Sequence, residues 1–359
     1  MIDSQRTFNS LRTLEHFVNN AFRLEHHADT LNGFHYNREL LKAAVANTYV
    51  ETISKRADSL HLSIEKSSID GIKSAFLSTT KAITKPFLLK ERRVMLAFDY
   101  TAEDFYGDSG GRWLHGWTGE KGVKAKFSFL SVNLVDSDLR IPLLSIPSPL
   151  LSSKSEEISS LLADISSFMP LSNIDLALFD RGFYSKEVMH MLNSTDIPYL
   201  IFVPKNSGIR EELSSMGKGE KKITLHSFEY TTVDGKKVRD STHLAFLKRI
   251  FDHKTESYFD WVFATNVEDI DLDKIIRTYK MRWRIETSFR VQDEAKIKSK
   301  STNIKVRYFL FAYEQLIESI WYLFYKERDS IPFKSFLIGL SDLCSPAVKR
   351  EEEKRASDR

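Results

Sequence analysis

One segment in the last third of the chain combines a single carboxylate with basic and aromatic side chains. Residues 279–286 read YKMRWRIE, and Arg290 follows one helical turn later. Because an α-helix advances about 100° per residue, Tyr279, Arg282 and Glu286 would share one helix face. Such a face suits an enzyme that binds a metal ion and acts on a polyanion. A solvated amphipathic helix with an Arg282–Glu286 pair is the alternative interpretation.

The positive charge of the chain is concentrated around this segment. The net charge is +3 over 359 residues. Between Lys274 and Arg307, eleven Lys and Arg residues stand against three acids, which gives 11 − 3 = +8 and leaves 3 − 8 = −5 for the remainder. A basic segment on an otherwise slightly acidic protein indicates a nucleic acid partner. A surface helix of ordinary Lys and Arg content is the alternative.

The composition is that of a folded, soluble protein. Hydrophobic residues make up 42% of the chain and charged residues 28%, which argues against disorder. The single cysteine, Cys344, excludes an internal disulfide and a multi-cysteine zinc site, and fits a reducing cytoplasm. The N-terminus has no apolar core of signal-peptide length. The apolar run at residues 308–325 contains Glu314 and Glu318, so we expect a buried helix and no membrane span.

Two short apolar runs end on an aspartate, and both read as buried strands. Residues 94–98 end at Asp99, and residues 174–179 end at Asp180. The pattern predicts further strands at residues 127–135, 139–146 and 199–203, and helices at residues 155–168 and 184–193. This order of three strands, helix, strand, helix and strand predicts an α/β fold, with a mixed sheet flanked by helices.

The remaining segments suggest how the chain is divided. Residues up to about 92 have helical periodicity, and residues 208–257 alternate like strands around the Asp234-Gly235 turn signal. We therefore predict a helical region at residues 1–92, a first core segment at 93–207, a β-rich insertion at 208–257, a second core segment with Glu286 at 258–330, and a partly disordered tail at 331–359.

Three acids from separate segments could form one metal site. Asp99, Asp180 and Glu286 are 81 and 106 residues apart in the chain, yet carboxylates at one edge of a sheet can converge. Three carboxylates around two Mg²⁺ ions about 4 Å apart would clamp a phosphodiester for in-line attack. Such hard oxygen ligands suit Mg²⁺, with Mn²⁺ as an alternative, and do not favour zinc. Asp104 is a less favoured alternative to Asp99.

These motifs together resemble a known protein family. The run DRGFY at residues 180–184 directly follows an apolar strand, and Tyr279, Arg282 and Glu286 form a Tyr-x₂-Arg-x₃-Glu pattern. The combination resembles the DDE transposases of prokaryotic insertion sequences. Within them, it is most similar to the cut-and-paste branch, whose RNase H-like core is interrupted by a β-rich insertion before the catalytic glutamate. The resemblance extends over about residues 94–325.

The resemblance assigns roles to individual residues. It implies that Asp99, Asp180 and Glu286 are the catalytic, metal-binding triad, and that Tyr279 and Arg282 contact DNA phosphates near the cleaved bond.

We expect further DNA contacts from basic residues around the triad, namely Arg181, Arg290, Lys296 and Lys298. An ion pair with a nearby acid is an equally favoured role for Arg181. The family usually has a lysine seven positions after the glutamate, where this chain has Asp293. Lys296, nearly one turn further on, can take the place of that lysine.

The resemblance also implies a function and its partners. It implies a transposase that uses two Mg²⁺ ions to cleave and join double-stranded DNA at the terminal inverted repeats of an insertion sequence. Holding two transposon ends and a target DNA requires at least a homodimer, and the helical region at residues 1–92 would recognise the ends. We expect a cytoplasmic, nucleoid-associated protein without a membrane partner. An RNase H-like nuclease or resolvase and a non-catalytic, transposase-derived DNA-binding protein are the alternatives.

Overall fold

The computed structural model describes residues 4–22, 33–85, 93–107, 110–116, 122–136, 139–326 and 331–344. Within these ranges, no helix is both long enough and apolar enough to cross a membrane. The charged end of the predicted tail, from residue 349 onward, lies outside the described residues.

The described residues form one mixed sheet of nine strands. Its order is β2-β3-β1-β5-β6-β9-β8-β7, and β4 pairs with β3. Strands β1, β5 and β6 run parallel to one another, and the other pairs are antiparallel. The strands are β1 Val94–Phe105, β2 Leu114–Gly116, β3 Ala125–Val135, β4 Arg140–Ser148, β5 Ile174–Phe179, β6 Tyr199–Phe202, β7 Lys221–Thr231, β8 Lys237–Asp252 and β9 Ser257–Thr265.

Helices flank this sheet, and five of them precede its first strand. They are α1 Ser4–Phe22, α2 Gly33–Ala46, α3 Val50–Ile53, α4 Ala57–Lys66, α5 Ile69–Thr84, α6 Lys154–Ser166, α7 Lys186–Ser194, α8 Ser207–Ser215, α9 Ile275–Lys280, α10 Trp283–Gln292, α11 Ile304–Trp321 and α12 Phe333–Leu343. The predicted α/β class, with a mixed sheet, flanking helices and an N-terminal helical region, is confirmed.

The strand that ends on Asp99 in the prediction continues well beyond it. Strand β1 has 12 residues, and Asp99 is its sixth. Its parallel pairing with β5 stops where Phe98 faces Phe179, whereas its antiparallel pairing with β3 continues from Asp99 opposite Ser131 to Phe105 opposite Ala125. The apolar run therefore marks only the part of β1 that has neighbours on both sides.

The β-hairpin formed by β7 and β8 extends the core sheet. Its turn contains Gly235 with a φ of 82°, a left-handed conformation that glycine adopts at low cost, as the Asp-Gly signal predicts. Strand β9 pairs with β8 on one side and with β6 on the other, so the hairpin is hydrogen-bonded into the same sheet as β1 and β5. The domain boundaries proposed above remain predictions.

The apolar helix α11 lies at the centre of the packing. Almost all of its residues are buried, as predicted for the apolar run at residues 308–325. Phe309 stacks on Phe17 of α1 at a ring-centroid distance of 5.3 Å, and Phe311 stacks on Phe129 of β3 at 4.3 Å. Because α11 touches both, the N-terminal helices and the sheet share one hydrophobic core.

The single helix predicted around Glu286 is interrupted. Helix α9 ends at Lys280 and α10 begins at Trp283. Between them, the backbone N–H of Arg282 donates to the carbonyl of Tyr279 at 2.9 Å, an i to i−3 bond, which tightens the turn. Tyr279 and Glu286 consequently do not share one exposed face, because the Tyr279 side chain lies in the core with 2% of its surface exposed.

Buried carboxylates on α11 hold α10 in place. The hydroxyl of Ser288 donates to Glu318 Oε1 at 2.8 Å, and Gln292 Nε2 donates to Glu314 Oε2 at 3.2 Å. The other oxygen of Glu314 accepts the backbone N–H of Ile297 at 2.7 Å. A buried polar group costs free energy unless it is hydrogen-bonded, so these bonds favour one position of α10 on α11.

The aromatic pair beneath the two aspartates should be important for stability. Phe179 is fully buried and stacks on Phe98 at 4.8 Å. We expect Phe179→Ala to lower the free energy of unfolding by about 3–5 kcal/mol, because it removes a buried ring and leaves a cavity. Leu151→Ala, at a side chain that is 95% exposed, should change it by less than about 0.5 kcal/mol. Urea denaturation measures both, and equal effects would contradict the packing described here.

Candidate active site

The register of the sheet brings Asp99 and Asp180 side by side. Phe98 and Phe179 face each other across the parallel strands β1 and β5, and the next residue on each strand is an aspartate. Neighbouring strands lie about 4.8 Å apart. Beyond Phe179 the chain turns through a short 3₁₀ segment, Arg181–Phe183, so Asp180 stands at the end of β5 next to Asp99.

Glu286 reaches this pair of aspartates through an arginine. It lies in the first turn of α10 with its side chain 49% exposed. Arg282 Nη2 donates to Glu286 Oε1 at 2.6 Å, and Arg282 Nη1 donates to Asp99 Oδ2 at 2.8 Å. One guanidinium therefore links two of the three predicted catalytic carboxylates, although Asp99 and Glu286 are far apart in the sequence.

The charge state of Asp99 reflects this crowding. The pKa of Asp99 is raised to about 6, and burial is the main cause. The Arg282 charge acts to lower this pKa, and the negative charges of Asp180 and Glu286 act to raise it. The backbone N–H of Tyr100 donates to Asp99 Oδ1 at 2.9 Å. A perturbed carboxyl of this kind, with named charged neighbours, is typical of a functional site.

The chemistry of these side chains fits a divalent cation. In the described part of the chain, no three His, Cys, Asp or Glu side chains lie close enough together to hold a metal ion as they stand. The position between Asp99 and Glu286 is taken by the Arg282 guanidinium, which is itself a cation. Carboxylate oxygens are the ligands that Mg²⁺ and Mn²⁺ prefer, so the set fits such an ion once Arg282 releases the oxygens that it now binds.

Tyr279 supports Arg282 from the core side. Its ring centroid lies 5.7 Å from the guanidinium carbon of Arg282 and 4.9 Å from the ring of Phe263. Burial raises the pKa of the Tyr279 hydroxyl, so the phenol stays protonated. Its predicted contact with a DNA phosphate remains a prediction. In the structure, the ring packs against Arg282.

The other predicted DNA contacts lie around the carboxylates or beyond them. Arg181 is exposed in the turn after Asp180, and Arg290 is exposed on α10. Lys296 and Lys298 belong to the segment that follows α10, and Lys296 Nζ lies 3.5 Å from Asp293 Oδ1. Their roles in binding DNA remain predictions.

Lys154 is a site residue that the sequence pattern did not reveal. It is the first residue of α6, and its Nζ donates to the carbonyl of Gly182 at 2.6 Å. The same ammonium lies 5.8 Å from the ring centroids of Tyr100 and Phe183. Lys154 thus holds the turn that follows Asp180. No spacing rule links a lysine at a helix start to a turn 28 residues later.

Comparison with known proteins identifies the family. The model of a family described as "Transposase DDE domain" matches residues 99–305, more than half of the chain. The chain belongs to the DDE transposase family. The match begins at Asp99 and includes Asp180 and Glu286. The chain is therefore a transposase, an enzyme of DNA transposition, and its family implies a dependence on divalent metal ions.

A solved structure shows the same fold. The chain is similar to the cryo-EM structure of a piggyBac transposase synaptic complex with hairpin DNA, with a TM-score of 0.54 and 11% sequence identity. The alignment covers 98% of this chain and 82% of the other. At this identity the similarity is one of fold. No curated protein sequence matches the chain.

The raised pKa of Asp99 predicts a pH-dependent stability in the absence of metal. The folded protein binds this proton more tightly than the unfolded chain, so the free energy of unfolding should fall as pH rises from about 4 to about 6. Asp99→Asn should remove this fall. It should stabilise the metal-free transposase by about 1–3 kcal/mol at pH 7, with little effect near pH 4. Urea denaturation in EDTA at both pH values measures this, and a pH-independent difference would contradict it.

Proposed function

We propose that the transposase cleaves DNA at the terminal inverted repeats of an insertion sequence and joins the released ends to target DNA. Asp99, Asp180 and Glu286 would be its catalytic residues. The observation that supports this most strongly is the convergence of the three carboxylates. Two stand on adjacent parallel strands, and the third is linked to Asp99 by a single guanidinium.

The proposed cofactor is Mg²⁺, as two ions held by Asp99, Asp180 and Glu286, with Mn²⁺ as a substitute. When bound, these ions would lower the pKa of the attacking water or 3′-hydroxyl and neutralise the leaving oxygen. The chain itself supplies a fixed arrangement of ligands, because β1 and β5 set the separation of the aspartates and α11 anchors the helix that bears Glu286.

Arg282 would have two roles in this site. Without metal, it neutralises Asp99 and Glu286, which would otherwise repel each other. Its Nε is buried and has no hydrogen-bond partner among the described residues, so one donor of the guanidinium is unused. We propose that this donor, with those released by the carboxylates, binds a phosphate oxygen of the DNA. A guanidinium suits phosphate because its donors match two oxygens at once.

The proposed partners are double-stranded transposon ends and target DNA. Strand transfer joins two ends to one target, which requires at least two copies of the transposase. The similar solved structure is a piggyBac synaptic complex with hairpin DNA, and this supports both proposals. The helices before residue 92 are proposed to recognise the transposon ends, and the enzyme is proposed to act in association with the nucleoid.

Loss of one carboxylate tests the proposed catalytic triad. Glu286→Gln should reduce Mg²⁺-dependent cleavage of a labelled duplex, taken from the DNA that flanks the gene, by at least about 100-fold. Mutation of residues that only orient metal ligands already lowers metal affinity or activity by about 10- to 100-fold, so loss of a ligand should lower it by at least as much. Glu294→Gln, at an exposed acid beyond the end of α10, is the matched control. Wild-type cleavage by the Glu286 variant would exclude the triad, and a wild-type protein that binds DNA without cleaving it would support a non-catalytic role.

Arg282→Gln tests the exchange of one cation for another. The substitution leaves the carboxylates without their counterion, so the metal-free protein should lose about 3–5 kcal/mol of stability. Mg²⁺ should then raise the melting temperature of this variant more than that of the wild type, while cleavage is lost. Arg290→Gln, at an exposed arginine on α10, should respond to Mg²⁺ like the wild type. A smaller Mg²⁺ effect in the Arg282 variant would show that the arginine and the metal do not compete.

A further inference from the structure

We propose that a groove beyond the end of α10 binds the sugar-phosphate backbone of duplex DNA, with Lys298 and Lys300 as its phosphate contacts. This proposal rests on the proposed function, because it takes the same DNA that enters the active site. The groove has a volume of about 770 Å³. It is lined by residues from three parts of the chain, namely Tyr49 from the N-terminal helical region, residues 103–107 of β1 and the loop after it, and residues 296–300 with Arg307.

The acids that line the groove are already neutralised. Asp104 Oδ1 lies 3.2 Å from Lys126 Nζ, and Glu103 Oε2 lies 3.4 Å from Arg307 Nη1. Glu103 and Arg307 are both largely buried, so this pair lies at the floor of the groove. Because both acids have cationic partners, their negative charges do not cancel the positive charge that the groove offers to a polyanion.

Two exposed lysines at the groove have no ion-pair partner among the described residues. Lys298 and Lys300 are exposed, and neither forms an ion pair with a residue that the structure describes. The Lys300 ammonium lies 5.2 Å from the ring centroid of Tyr49, which holds the side chain over an aromatic face. Two unpaired cations beside an aromatic ring form a surface suited to nucleic acid.

Lys296 differs from these two residues. Burial disfavours its charge, but the carboxylates of Glu103, Asp293 and Glu314 raise the pKa of its ammonium. Lys296 therefore balances charges inside the protein, and we assign it a structural role. This differs from the expectation from the sequence, in which Lys296 contacts DNA and takes the place of the family's lysine.

The backbone that presents the lysines is held on both sides. On the N-terminal side, Lys298 N donates to the carbonyl of Thr48 at 3.0 Å, and Asn47 Nδ2 donates to the carbonyl of Asp293 at 3.0 Å. On the core side, Ile297 N donates to Glu314. A surface fixed in this way loses little conformational entropy when it binds a ligand. The N-terminal helical region thus shapes a groove that belongs in part to the catalytic core.

The position of the groove favours DNA over another polyanion. Glu103 lies four residues after Asp99 on β1 and on the same face of the strand, which corresponds to about 13 Å along the strand. This distance equals roughly four base steps of duplex DNA at 3.4 Å each. A duplex that runs along β1 with its cleaved phosphate at Asp99 would therefore meet the groove about four base pairs away.

The test removes the two charges and measures DNA binding. For Lys298→Gln/Lys300→Gln, the dissociation constant for a duplex should rise about tenfold or more at roughly 100 mM salt, and the slope of log K against log[salt] should fall by about 1.8. The matched control is Lys236→Gln/Lys237→Gln, two exposed lysines at the turn between β7 and β8, which should bind nearly as the wild type does. An unchanged constant and slope in the groove variant would overturn the proposal.

Two further measurements separate this proposal from the proposed function. Duplexes cut back to fewer than about four base pairs on the groove side of the cleavage point should bind the wild type and the groove variant equally. Mg²⁺ should stabilise the groove variant against heat as it does the wild type, because the carboxylates are intact. A loss of binding that affects polyglutamate but not duplex DNA would instead indicate an acidic peptide ligand and overturn the proposal. Cleavage by Glu286→Gln would exclude the triad without affecting any of these results.

Discussion

The candidate site depends on one guanidinium, that of Arg282, which links carboxylates that the fold brings near one another and that repel each other. Asp99 and Asp180 are neighbours because two parallel strands end their pairing at the same point, and Glu286 joins them on a helix that α11 fixes in place. The raised pKa of Asp99 comes mainly from burial, and the negative charges of Asp180 and Glu286 add to it. Arg282 offsets the repulsion with a single charge delivered from the core. A site of this kind is incomplete with one guanidinium, and it gains from a cation of higher charge.

The scaffold around the site is held in place by hydrogen bonds to buried carboxylates. Glu314 and Glu318 are buried on α11, and each accepts hydrogen bonds from α10 or from the segment that follows it. Helix α11 is in turn enclosed by N-terminal helices and by the sheet. The described N-terminal region therefore contributes to the positioning of Glu286, although it lies about 200 residues earlier in the chain. Residues that are far apart in the sequence thus support one another in the folded protein.

The sequence predicted the strands best where one local pattern decided the outcome. The strand at residues 174–179 has its predicted bounds because apolar residues and a terminal aspartate coincide there. The predicted length of β1 was wrong. Beyond Asp99 this strand pairs with β3 alone, so no continuous apolar run marks that part of it. The predicted continuous helix around Tyr279 was also wrong. The Tyr279 ring is buried in the core, and a tight turn at Arg282 separates two helices. Lys154 could not be predicted, since its contact with Gly182 exists only after folding.

The position of Asp293 shows how a local departure from a family pattern can be compensated nearby. Asp293 is exposed at the end of α10, where its carbonyl accepts a hydrogen bond from Asn47 and its carboxylate lies beside Lys296. A lysine here would lose that pairing and would place two ammonium groups together. The chain instead has its unpaired positive charge a few residues later, at Lys298 and Lys300, on a segment whose backbone is bonded to the N-terminal region. If this charge binds DNA, as we propose, its exact place along the segment is not critical, because phosphates recur along a duplex at short intervals. The proposed triad has no such freedom, because the register of β1 and β5 fixes Asp99 beside Asp180, and hydrogen bonds to α11 fix the helix that bears Glu286.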